Sequence, residues 1–153
     1  MGQINFKILA KVHRDSFKGM TPVEQYNYVI EHIDNPEILK ELFLSAKDDI
    51  IRLKIVEATR DPDLAKRLFK NTKYLLVKAS LIAFINDQDL IRDMLISYVH
   101  SPEILTSIME RLTEKQNRAL IQSMKKLNVL PKSFIEIAEK YIKGDIKGNL
   151  IVD

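Results

Sequence analysis

Three groups of side chains in this 153-residue chain have types and spacings that could do chemistry. His13-Arg14-Asp15 spells the triplet of a kinase catalytic loop, in which the aspartate accepts a hydroxyl proton. It stands alone here: no glycine-rich loop and no Asp-Phe-Gly accompany it, and the chain is too short for two lobes. The three histidines, His13, His32 and His100, never recur at i+3 or i+4 and have no cysteine beside them, so their spacing argues for surface or helix-end positions rather than for a zinc site. Asp48-Asp49 puts two carboxylates in sequence, but adjacent helical residues point in different directions. A helix cap and an intrahelical partner for Arg52 account for them without acid–base catalysis. The third group is a run of cations, Lys66, Arg67, Lys70, Lys73 and Lys78, interrupted by the aromatic Tyr74. Cations plus an aromatic ring can contact phosphates and stack on a base. A solvated helix face is the simpler reading. No catalytic residue, metal site or cofactor is expected, and an enzyme is not.

The charge distribution sharpens that third group. The formal net charge is +3. Residues 1–46 carry 5 basic and 6 acidic side chains, residues 47–86 carry 9 and 5, and residues 87–153 carry 10 of each. The basic excess therefore sits in the centre, with no acid from 65 to 86. The absence of cysteine excludes a disulfide framework and favours a cytoplasmic setting. No apolar run approaches the roughly 18–20 residues that span a bilayer. The opening MGQINFKILAKVHRD places charges inside its apolar stretch, unlike a secretory signal, and Phe6 breaks the myristoylation pattern. No membrane partner is expected.

Whatever binds these cations must be positioned by repeated elements. Residues 33–43 read IDNPEILKELF, residues 59–69 TRDPDLAKRLF and residues 85–95 INDQDLIRDML. Three copies in steps of 26 share apolar columns: Ile38, Leu64 and Leu90; Leu42, Leu68 and Met94; Phe43, Phe69 and Leu95. Fixed-period self-similarity marks a repeat architecture. Each copy opens with a helix-start signal. Asn35, Asp61 and Asp87 offer a cap oxygen. Pro36 and Pro62 fit the first helical position, where a missing N–H costs nothing. Thr21 with Glu24 and Thr113 with Gln116 have capping-box spacing. Further starts fall at Asp48, Thr72, Ser101-Pro102 and Pro131.

Between these signals the apolar residues recur at helical spacing, as in Leu39, Leu42 and Phe43. The spacing predicts about ten short antiparallel helices in five pairs: 3–14 with 21–33, 35–46 with 48–59, 61–71 with 73–86, 87–99 with 101–111, and 113–127 with 131–143. The sixth is apolar on most sides, which predicts central burial. Helices this short are marginal alone, so stacking of neighbouring pairs must supply the core. Residues 1–143 read as a single helical-repeat domain and 144–153 as a flexible tail.

The segments DNPEIL, DPDL and KDDIIRLKIVEAT resemble HEAT repeats, in which a first helix opened by an Asp-Pro-type turn is followed by an Asp, an apolar residue and an Arg leading a second helix. The resemblance covers roughly 21–127, and armadillo-like repeats share most of it. It implies an all-α fold, a right-handed α–α superhelix, and a bias towards binding. In such folds the second helices line the concave face. Tyr26, Arg52 and Lys78, which stand 26 apart, would then form a ladder along a groove. The arginine in such units often pairs with repeat aspartates, so Arg52 is expected to be structural and Lys78 to be exposed.

The function expected is a non-catalytic scaffold that binds a protein or peptide, acidic in character, on its curved surface. The alternative is nucleic-acid binding through residues 47–86. The candidate contacts are Tyr26, Arg52 and Lys78 with Lys66, Arg67, Lys70, Lys73 and Tyr74.

Overall fold

A computed structural model describes residues 2–85, 87–98 and 102–127. Within them the chain is all-helical, with no strand. The expected last helix at 131–143, the start signal at Ser101, His100 and the tail lie outside the described residues. The helices are α1 (Gly2–Lys18), α2 (Pro22–Glu31), α3 (Pro36–Leu42), α4 (Asp49–Thr59), α5 (Pro62–Asn71), α6 (Leu75–Leu81), α7 (Gln88–Tyr98), α8 (Pro102–Arg111) and α9 (Glu114–Lys126). Short 3-10 turns, Phe43–Ser45 and Ile82–Phe84, tighten the ends of α3 and α6.

Local caps explain most of the starts. Thr21 and Thr113 close capping boxes with Glu24 and Gln116. Asp48 accepts from the Ile51 amide, Asp61 from the amides of Asp63 and Leu64, and Asp87 from that of Leu90. Pro22, Pro36 and Pro62 occupy the first helical turn. No helix crosses 34–36 or 60–62, the boundaries that the repeat sets.

Three features differ from the sequence expectation. The first helix runs to Lys18, four residues past its expected end, because Phe17 is fully buried and holds the extra turn. Asn35 makes no side-chain cap bond, so α3 starts on Pro36 alone. Thr72 does not cap α6: its hydroxyl donates to the Asp49 carboxylate at 2.7 Å, and α6 begins at Leu75.

The chain divides into two compact units, Met1–Thr72 and Lys73–Asp153. In the first unit α1 packs on α3, α2 on α4, and α4 on both α3 and α5. In the second, α6 packs on α8 and α9, and α7 packs on α8 and α9. Two of the three repeat columns point inward: Leu42, Leu68 and Met94 are all buried, as are Phe43, Phe69 and Leu95, whereas in the third Ile38 is buried and Leu64 and Leu90 are half-buried. Leu81 in α6 is also fully buried. The described apolar residues buried in the first unit include Phe17, Phe43 and Phe69 and no methionine. In the second they include Met94, Met109 and Met124.

Candidate functional site

The first unit brings Arg52 and Arg67, two of the expected contacts, to one groove of about 300 Å³. The 3-10 turn after α3 supplies Phe43 and Leu44, α4 supplies Asp49 and Arg52, and α5 supplies Arg67, Leu68 and Asn71. Phe43 and Leu68 are buried in the floor, whereas Leu44 keeps 75% of its surface exposed.

The two guanidinium groups differ in commitment. Arg52 donates to Asp49 at 2.8 Å and to the backbone carbonyl of Ala46. Asp49 also accepts from the buried Thr72 hydroxyl. This polar knot ties the entry of α4 to the end of α5. Arg67 is exposed and has no ion-pair partner among the described residues. Its own carbonyl accepts from Asn71 Nδ2 at 2.8 Å, which holds that amide beside the groove. A planar guanidinium at an apolar floor suits a carboxylate or phosphate that carries an apolar group.

The remaining candidates are distributed differently. Lys66 is half-buried on α5, and Lys70 is exposed there. Lys73 follows the end of α5, so it does not extend the Lys66–Lys70 face. Lys73, Tyr74 and Lys78 belong to the second unit. There the Lys73 ammonium lies 5.5 Å from the centroid of the Tyr74 ring, which is 53% exposed. Lys78 on α6, expected to be exposed, is half-buried. Tyr26 is exposed on α2. The second unit also has a groove of its own, about 360 Å³, with Leu75, Leu76, Ile104 and Ile108 against Glu103 and Arg111.

Two features escaped the sequence reading. His13 and His32, 19 residues apart, meet across α1 and α2 with ring centroids 5.2 Å apart. His13 Nδ1 hydrogen-bonds the Tyr28 hydroxyl, and the Tyr28 and His32 rings stack at 4.1 Å. Burial, and then the positive charge of His32, hold the His13 pKa below its ordinary value. Burial, and then Glu31, raise that of Tyr28. The second feature is a pair of buried amides. Gln25 Nε2 donates to the carbonyls of Phe17 and Ser45, and its Oε1 accepts from the Lys47 amide. Asn117 Nδ2 donates to the carbonyl of Met109. Only the spacing of each amide, four residues after a capping threonine, could have flagged them.

Among the described residues no group of three or more His, Asp or Glu side chains is arranged to hold a metal ion, and no helix is long and apolar enough to cross a membrane. No protein-family model, curated protein or solved structure matches the chain.

Proposed function

We propose that the chain is a non-catalytic helical-repeat scaffold that binds an acidic peptide segment in the groove between α4 and α5. One observation carries this reading: the uncommitted Arg67 guanidinium lines, with Asn71 and the exposed Leu44, a groove floored by Phe43 and Leu68. The Arg52–Asp49–Thr72 knot ties α4 to the end of α5 beside that floor, which favours a site that needs little ordering on binding. The HEAT-like superhelix belongs to the same proposal. It is supported by helices of like parity meeting within each unit, α1 with α3 and α2 with α4, then α6 with α8 and α7 with α9.

Fluorescence anisotropy with labelled peptides that alternate Asp or Glu with Leu tests the site. Arg67→Glu should weaken binding at least tenfold, roughly 1.4 kcal/mol or more, while circular dichroism stays unchanged. Equal affinity in the folded variant would end this assignment. Tyr74, exposed beside Lys73, favours a second reading in which the second unit contacts nucleic acid. Labelled single-stranded oligonucleotides test that: binding should weaken steeply with salt and fall on Tyr74→Ala.

A further inference from the structure

Seven of the eleven exposed large apolar side chains among the described residues fall within residues 8–33. On α1 they are Ile8, Leu9 and Val12, with Ile8 and Val12 one turn apart and turned away from the buried Ala10 and Phe17. On and just after α2 they are Val23, Tyr26, Ile30 and Ile33, at i, i+3, i+7 and i+10, a stripe off the face that buries Gln25 and Val29. Two apolar helix stripes so close in sequence are unusual on a surface that meets only water.

Their charged borders are opposite in sign. α1 carries Lys7, Lys11, Arg14 and Lys18 against the single acid Asp15. Arg14 is committed to Glu41 at 3.0 Å, while Lys7, Lys11 and Lys18 have no ion-pair partner among the described residues. Residues 19–39 hold Glu24, Glu31, Asp34 and Glu37 and no lysine or arginine, and of these Glu37 pairs with Lys40 at 3.6 Å. One stripe is an apolar ridge edged with cations. The other is an apolar ridge edged with carboxylates.

We propose that the chain associates with itself, α1 of one copy packing on α2 of another. Ile8, Leu9 and Val12 then meet Val23, Tyr26 and Ile30, and Lys7 and Lys11 meet Glu31 and Asp34. The complementarity is built into one sequence, so the occupant of each stripe is the other stripe. A copy presents both, so contact either pairs two copies reciprocally about a two-fold axis, closes a larger ring or propagates as an open chain.

Sedimentation velocity over a concentration series tests this with charge reversal. The parent protein should associate, and raising salt should weaken the complex. Lys7→Glu with Lys11→Glu should raise the dissociation constant at least tenfold, as should Glu31→Lys with Asp34→Lys. Glu24 is left untouched because it closes the α2 capping box. Mixing the two folded double variants should restore association, since the reversed α1 again faces a reversed α2. Carbodiimide cross-links between Lys7 or Lys11 and Glu31 or Asp34 should join isotopically light to heavy copies. A monomer at every concentration up to about 200 μM, where a micromolar complex would be saturated, overturns the proposal. So does association indifferent to both reversals, or cross-links confined to single copies.

Discussion

Gln25 and Asn117 occupy the same position in two different units. Each follows a capping-box threonine by four residues, and each donates to a backbone carbonyl eight residues earlier. One methylene separates them. The longer Gln25 reaches past Phe17 to Ser45 and Lys47, so one amide joins the end of α1, the start of α2 and the approach to α4. Asn117 stops at Met109, and its buried Oδ1 finds no partner among the described residues. The apolar residues differ in the same sense. Among the described residues the first unit buries three phenylalanines and the second three methionines, which are softer and repack more easily. Among the described residues the packing is thus specified more tightly in the first unit than in the second.

The repeat columns offer the largest test of that difference. Leu68→Ala should cost about 2–5 kcal/mol in chemical denaturation. Met94→Ala, one repeat on, should fall at the low end of that range because the buried Met109 and Met124 of the same unit are adaptable. Equal costs at the top of the range would erase the contrast in softness. Gln25→Leu should come next, at about 2–4 kcal/mol, since the Ser45 carbonyl and the Lys47 amide lose their partner. Asn117→Leu should lie within about 1 kcal/mol of zero, because it removes an unmet acceptor and the Met109 carbonyl still accepts from the Leu112 amide. A severe loss there would show that the Oδ1 matters to folding.

Acid should separate the units next. The folded-state pKa of His13 lies below its unfolded value, so the unfolded chain takes up the proton first. The stability this contributes is present above about pH 6.5 and is lost as pH falls through the lower folded-state value. Between pH 7 and 5 the melting temperature should drop. His13→Phe, which keeps a ring against Tyr28, should flatten that slope. The smallest expected effect is a gain. Arg60, the C-cap of α4, sits at φ 54°, a left-handed conformation that favours glycine. Arg60→Gly should add a few tenths of a kcal/mol to about 1 kcal/mol.

What the sequence made legible was local. Thr21, Asp48, Asp61 and Thr113 act on amides two or three residues away, so their helix starts can be read from spacing alone. The period of 26 exposed the buried columns for the same reason. Thr72 misled because its hydroxyl answers Asp49, 23 residues back, instead of the helix that follows. His13 and His32 escaped because a 19-residue interval matches no single-helix period. In the groove, the pairing of Asp49 with Arg52 was legible as an i, i+3 contact. The approach of Arg67 from the next helix depends on packing, which spacing does not encode.

The Lys47 amide carries a consequence of its own. It belongs to the irregular stretch between the 3-10 turn and α4, where backbone protons ordinarily trade with solvent within seconds or minutes. Because its acceptor is the buried Gln25 side chain, this loop proton should exchange with deuterium as slowly as those of the α4 interior. A single slow resonance outside any helix would then report each opening of the first unit.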